Sequence, residues 1–362
     1  MEALRFDISR APLALEEQAR FDADVDRLGL DANLWRVLNA TMATESSFSK
    51  PHLLRARRDG DLVGAALFME CRRLARCITR NVALERTLDA LNPPSFMWLR
   101  VGAGIDHYAN PGFVADGLDR ATFVKGAVAA LMRRYHFGCV FDDPATPLGV
   151  PTADVAFPDF GRIDPVDGVR DELLAASKQL RKKVRKFGNK GGRIRLVTGP
   201  MPDAEAATVS AWLRTIDPEV RVTFQDLYPA MVAASNGLPD TVHVLAYLDD
   251  AFVGYHSFVP SGERLVCLSG IFDPGQPSNY HAYENVILET VQYASDHGLS
   301  RIDFGPVLNP TKAKMMTRFE RSALRYVSRL PPFRLAMRTA ITRSRIGPAK
   351  LQAYIGLEGS SA

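Results

Sequence analysis

Two stretches of this chain repeat one pattern at a distance of 190 residues, and that repeat restricts the fold more than any other feature. Residues 53–68 read LLRARRDGDLVGAALF and residues 243–258 read HVLAYLDDAFVGYHSF. Each is an apolar run, an acidic turn and a second run that opens with Val-Gly (Val63-Gly64 and Val253-Gly254). Turns at Asp59-Gly60 and Asp249-Asp250 predict two β-hairpins. After each hairpin the periodicity predicts a helix and then a strand. In the first half these are Ala121–Tyr135 and Gly138–Phe141. In the second, Tyr283, Val286, Ile287, Thr290, Val291 and Ala294 form one helical stripe, His297-Gly298 ends it, and Arg301–Phe304 is the strand. Chance likeness of two α/β segments is the alternative. The shared Asp-turn-Val-Gly signature favours duplication.

A chain of 362 residues suits two domains at roughly 150 residues each. With 46% hydrophobic and 24% charged residues it is an ordinary globular mixture, which excludes disorder of the whole chain. Four cysteines are too few for a disulfide framework, and the Cys71–Cys77 spacing is not a zinc pattern. No apolar run reaches the ~18 residues of a membrane span, and the N-terminus turns acidic where a signal peptide needs an apolar core. A cytoplasmic setting is the simplest expectation. The net charge of +4 conceals a segregation. Residues 178–195 hold nine basic residues and no acid, and residues 312–362 hold eleven against Glu320 and Glu358. The rest of the chain is therefore net acidic. Such asymmetry points to a polyanionic partner, or else to a solvated basic face.

The second half predicts a basic helix, Asp171–Phe187, then a strand at 193–198 and helices at 204–215 and 224–236. Strands follow at 242–248, 252–259 and 264–271, then a loop at 273–278, a helix at 279–296 and a strand at 301–304. A short helix near 311–320 and a strand at 323–330 come before the break at Leu330-Pro331-Pro332. The expected domains are 1–160, 161–332 and a basic tail, 333–362, with the junction in the Pro- and Asp-rich stretch near 145–170.

Three segments carry a family resemblance: SKQLRKKVRKFGNKGGRIRLV, NYHAYENVILETVQYASDHGLSRIDFGP and TKAKMMTRFE. With the order of elements around them, they resemble the GNAT N-acyltransferase fold. Two such units in one chain resemble the Fem-type aminoacyl transferases and related bacterial double-GNAT acyltransferases. The fold class implied is α+β: two GNAT-like domains in tandem, with mixed, mostly antiparallel sheets flanked by helices. The activity implied is transfer of an acyl or aminoacyl group to an amine or hydroxyl, on a small molecule or an envelope or natural-product acceptor. The donor would be aminoacyl-tRNA, acyl carrier protein or acyl-CoA, used as a co-substrate with no permanently bound cofactor and no metal. The pyrophosphate-cradling pattern of GNAT enzymes, Gln/Arg-x-x-Gly-x-Gly/Ala, is missing. In its place stands FDPGQPSN (272–279), with one glycine and two prolines, and a proline has no N–H to offer a phosphate. Fem-type relatives, which use aminoacyl-tRNA, similarly lack a good cradle.

By the same resemblance the site lies where strands 264–271 and 301–304 part. Backbone N–H groups of Leu268, Ser269 and Gly270 would bind the acyl carbonyl and its oxyanion. Ser278 or Asn279 can cap the following helix. Tyr280, His281 and Glu284 place three proton-transferring groups in its first turns, and the sequence does not choose among them. Lys312 or Lys314 would meet the donor or the developing charge, with Arg318 one turn further on the same patch. Asp303 stands in an otherwise apolar strand, either as a base or as a turn cap. His256 and Ser257, on opposite faces of their strand, and His107 and Tyr108 in a glycine-bearing loop are acceptor-side candidates. Lys178, Arg181, Lys182, Lys183, Arg185 and Lys186 would dock the polyanion, tRNA or an acidic carrier protein. The tail, with Arg334, Arg338, Arg343, Arg345 and Lys350 among apolar residues, suits weak peripheral membrane contact. The rival class is a non-catalytic GNAT pair that binds RNA or an anionic membrane.

Overall fold

The computed structural model describes residues 4–29, 32–44, 49–71, 86, 90, 95–99, 112–115, 117–165, 168–215, 227–275, 280–307 and 310–331. The first half runs β1 (Arg5–Arg10), α1 (Leu15–Arg27), α2 (Ala32–Met42), β2 (Ser49–Arg58), β3 (Asp61–Cys71), β4 (Ser95–Leu99), β5 (Gly112–Val114), α3 (Arg120–Arg134), β6 (Phe137–Asp142) and β7 (Thr152–Ile163). The second runs α4 (Val169–Ala176), α5 (Lys178–Gly188), β8 (Gly192–Thr198), α6 (Asp203–Thr215), α7 (Leu227–Asn236), β9 (Val242–Leu248), β10 (Ala251–Ser261), β11 (Arg264–Phe272), α8 (Ala282–Asp296), β12 (Arg301–Pro306), α9 (Pro310–Met315) and β13 (Arg318–Ser328).

Both hairpins close through two residues of positive φ: Asp59 and Gly60 at 56° and 91°, Asp249 and Asp250 at 44° and 69°. That is the turn whose twist suits a two-residue hairpin, and aspartate tolerates it better than most residues. Next to each turn the pairing slips, between Ala56 and Arg57 and between Phe252 and Gly254.

The strands form one sheet in the order β1-β2-β3-β4-β6-β13-β7-β12-β11-β10-β9-β8, with β5 beside β3. The path is a palindrome of roles. β4–β6 and β11–β12 are the parallel pairs, and the hairpins β2–β3 and β9–β10 stand at equal distances from the centre. At the centre the halves exchange strands. β13 pairs with β6 of the first half, and β7 pairs with β12 of the second. The Pro- and Asp-rich junction is thus partly strand, and a boundary after residue 160 would fall inside β7.

Each half has its own core. α3 lays Phe123, Val124, Ala127, Val128 and Leu131 on the first half of the sheet. α8 lays Val286, Ile287, Val291 and Ala294 on the second, together with α4 and α5. The opposite face of the second half is covered by α6 and α7. Val37 of α2 packs there on Val259, Val266 and Leu268, and Asn33 donates to the Pro260 carbonyl at 3.0 Å. None of the helices described is long and apolar enough to cross a membrane.

Three expectations are corrected. The basic helix is two helices. Ser177 is extended (φ −129°, ψ 103°) and its hydroxyl accepts from the Leu180 N–H at 3.2 Å, a cap that starts α5 afresh. The helix expected at 311–320 ends at Met315, so Arg318 lies at the start of β13, not one turn beyond Lys314. Finally, the helix expected from residue 279 begins at Ala282, with His281 at the cap position. The tail 333–362 lies outside the described residues.

Candidate active site

The parallel ladder between β11 and β12 holds three pairs, Arg264–Arg301, Leu265–Ile302 and Val266–Asp303, and stops there. Beyond it the strands part. The part of β11 that faces the gap holds Leu268, Ser269 and Gly270. Leu268 is the bulge residue, since Ser269 pairs with Ser257 while Cys267 already pairs with Phe258. A bulge re-aims backbone groups at a strand edge, which is the requirement for a carbonyl-binding site.

His256 sits opposite Gly270. A Cβ on residue 270 would stand 2.1 Å from the His256 Cδ2, so glycine is needed there for the ring to lie flat on the strand. Phe258, Phe272, Tyr283 and Phe304 surround the ring at centroid distances of 5.4–6.1 Å. His256 is 6% exposed, so it is part of the wall on the α8 side rather than a side chain presented to an acceptor.

Three groups meet at the start of α8. Glu284, 5% exposed, accepts from Lys183 Nζ at 2.5 Å, and the same Oε1 lies 4.0 Å from His281 Nδ1. His281 has φ 62°, a left-handed conformation uncommon for a side-chain-bearing residue. Its carbonyl accepts from Asn285 Nδ2 at 2.8 Å. Burial lowers its basicity; Glu284 pulls the other way, and Lys183 and Lys186 reinforce burial. Tyr280 packs against the core and carries the Lys190 ammonium over its ring at 4.9 Å.

Between the two candidate lysines the structure discriminates. Lys312 turns inward and donates to the Phe304 carbonyl oxygen at 2.6 Å, at the end of β12 beside the gap. Lys314 is exposed. Arg318 is also exposed and its Nε reaches Asp164 at 2.7 Å. Asp303 is 6% exposed and takes the Arg301 Nε at 2.5 Å, while Arg301 also reaches Glu320 at 2.8 Å. Burial raises its carboxyl pKa against the pull of Arg301. Ile302 and Phe304 belong to the α8-side core, so alternation sets Asp303 on the opposite face from Glu284 and Lys312. It closes an ion-pair cluster at the last rung of the ladder.

Ser257 likewise faces away from α8. It is fully buried, and its hydroxyl lies 2.6 Å from Nδ1 of His243. Burial pushes the His243 pKa down to about 4, so the ring is neutral. Beside it Tyr255 bonds to Ser269 at 3.0 Å and to Asn236 at 3.3 Å. This polar layer underlies the bulge of β11. Sequence reading missed His243, although a histidine in an otherwise apolar strand, directly opposite Ser257 across the hairpin, was the available signal.

Of the six cations expected to dock a polyanion, Lys178, Arg181, Lys182, Arg185 and Lys186 are exposed on α5. Lys183 is the exception, turned in to Glu284. Its place was readable: it falls three residues after Leu180 and four before Phe187, on the stripe that α5 buries. In the loop after β11, the Gly275 N–H is taken by Asp273 Oδ1 at 2.8 Å. Ser278, Asn279, His107 and Tyr108 lie outside the described residues. Among those described, no group of three or more His, Cys, Asp or Glu residues could hold a metal ion.

Residues 175–313 match the family model described as an acetyltransferase (GNAT) domain. The C-terminal domain of a putative lysylphosphatidylglycerol synthetase from Agrobacterium fabrum superposes with a TM-score of 0.53 at 13% identity, covering 91% of this chain and 99% of that one. L-PGS from Bacillus licheniformis gives 0.55 at 11% identity, covering 93% and 99%. FemX gives 0.50 at 13%, covering 91% and 100%. At these identities the likeness is one of fold. No curated protein sequence matches the chain significantly. The matched domain places a GNAT domain in the second half, and the palindromic sheet with the parting of β11 from β12 gives the chain a tandem GNAT-like fold.

Proposed function

We propose that this protein transfers an acyl or aminoacyl group from an activated, polyanionic donor to an amine or hydroxyl acceptor, at the gap between β11 and β12. The observation that carries the reading is the break in the ladder after Val266 and Asp303, flanked by the bulge at Leu268, by Lys312 and by the first turn of α8. The acyl carbonyl lies against the β11 edge at Leu268–Gly270, whose N–H groups receive the oxyanion. The Lys312 ammonium stabilises charge on the β12 side. A group in the first turn of α8 takes the proton that the acceptor loses. Proximity and a fixed polar surrounding supply the rate.

Aminoacyl-tRNA is the favoured donor and an acyl carrier protein the next. Two observations support a polyanion over coenzyme A: the exposed cations of α5 beside the α8 N-terminus, and the occupation of the Gly275 N–H by Asp273. The neighbour named for lysylphosphatidylglycerol adds a lipid hydroxyl to the acceptors worth trying.

Binding of purified full-length protein to deacylated tRNA, aminoacylated tRNA, acyl carrier protein and acetyl-coenzyme A, at about 50 and about 200 mM salt, tests the donor. Steeply salt-dependent tRNA binding that tightens on aminoacylation is expected. Binding of acetyl-coenzyme A alone would overturn the donor assignment. Tight tRNA binding without any transfer to amines or hydroxyls would favour the non-catalytic reading.

A further inference from the structure

Lys183 differs from every other cation on its helix. Lys178, Arg181, Lys182, Arg185 and Lys186 face solvent, whereas Lys183 reaches across the packing between α5 and α8. Its partner Glu284 is 5% exposed, so the ammonium grips a carboxylate that is almost out of solvent. The carboxylate oxygen it grips is also the one nearest His281 Nδ1, at 4.0 Å. His281 is fixed by its backbone as well, through its left-handed φ and the bond from Asn285 to its carbonyl.

We propose that Lys183 is a positioning residue of the transfer site and no part of the polyanion-docking face: it holds the Glu284 carboxylate engaged, and so leaves His281 as the group that handles the proton. This rests on the reading of the α8 N-terminus as the reacting end of the gap. With an amine acceptor and an ester donor, the amine nitrogen bonds to the acyl carbon and the carbon–oxygen ester bond breaks. His281 accepts the amine proton and returns it to the departing oxygen, which leaves as a hydroxyl. Glu284, already engaged by Lys183, exchanges no proton. The charged groups facing His281 are Glu284 on its own helix and Lys183 and Lys186 on α5. Lys183 opposes a charged imidazole directly and also offsets the attraction of Glu284.

The test follows the His281 ring of the full chain by NMR titration, assigned with His281→Gln, in Lys183→Met and Glu284→Gln. It also measures deacylated tRNA binding in Lys183→Met and in Lys182→Ala/Arg185→Ala. Removal of Lys183 should raise the His281 midpoint by about half to one pH unit, and Glu284→Gln should lower it. Lys183→Met should hold tRNA within about twofold of the parent, while the Lys182/Arg185 variant weakens it about tenfold or more. An unmoved His281 midpoint in Lys183→Met, or a loss of tRNA binding matching that of the Lys182/Arg185 variant, overturns the proposal. Should Lys183→Met fail to fold, the direction of the shift in Glu284→Gln decides. Should the parent protein bind no tRNA, the donor assignment fails and the titration still decides the role of Lys183.

Discussion

His256 lies over the backbone of Gly270, so close that a Cβ there would stand 2.1 Å from its Cδ2. The ring is wedged among Phe258, Phe272, Tyr283 and Phe304, which join β10, β11, α8 and β12 around the gap. Gly270→Ala must therefore move the ring or the strand, and the other rings leave it little room. The expected cost is about 1–3 kcal/mol of stability, read by chemical denaturation, together with a loss of transfer at temperatures where the variant is still folded. A variant as stable and as active as the parent would show that the ring does not pack this way.

Lys312 and Lys314 are two residues apart but play different parts. Lys312 points its ammonium at the Phe304 carbonyl beside the gap, and Lys314 faces solvent. Lys312→Ala should lower the transfer rate at least about tenfold, equivalent to about 1.4 kcal/mol of barrier. Lys314→Ala should stay within about twofold of the parent, as exposed single charges usually do. Rates of the two variants at saturating donor distinguish them.

How much of this was legible in sequence varies by element. The duplication was, because an Asp-turn-Val-Gly hairpin is a local signal and Asp59 and Asp249 accept positive φ. The strand exchange was not: β7 and β13 carry no mark of which half they pair with, since pairing partners are chosen by the whole sheet. The parting of β11 from β12 came from the family resemblance, and the residues alone do not encode it. The contact of Lys183 with Glu284 was not foreseen because a run of cations hides the one that falls on the buried stripe. Asp303 was open between a base and a turn cap, and the sequence did not show that Arg301, two residues before it on the same strand face, engages it.

The exchanged strands make the halves interdependent. A fragment of residues 1–160 would leave most of β7 without β12 and β13, and β6 without β13. Unpaired central strands expose a full row of backbone groups and apolar side chains. Neither 1–160 nor 161–362 should melt cooperatively alone, while co-expression should restore a folded complex. Cooperative thermal unfolding of either isolated fragment would contradict this.

His52 and His243 are buried and titrate near 4 in the folded chain, against a usual value of 6.5. The unfolded chain therefore binds these protons first as pH falls. Their contribution is complete above about pH 6.5 and is lost toward pH 4, at about 1.4 kcal/mol per pH unit for each ring. Asp142 and Asp303, whose carboxyl pKa values burial raises, bind protons more readily folded than unfolded and oppose this in the lower part of the window. Urea midpoints at about pH 7 and about pH 5 should differ clearly in the parent and much less in His52→Gln/His243→Gln. Equal pH slopes in the two proteins would refute the assignment.

The most direct test of the account is transfer itself. The full-length protein would be incubated with tRNA charged with a mixture of radiolabelled amino acids and a panel of amine and hydroxyl acceptors, lipids included, and label would be followed from tRNA to acceptor. The account predicts enzyme-dependent transfer that is lost in Lys312→Ala while tRNA binding persists. Label that leaves the tRNA no faster than in buffer, together with turnover of an acyl carrier protein or coenzyme A thioester, would contradict the aminoacyl donor. Absence of transfer from all three donors would contradict the catalytic reading.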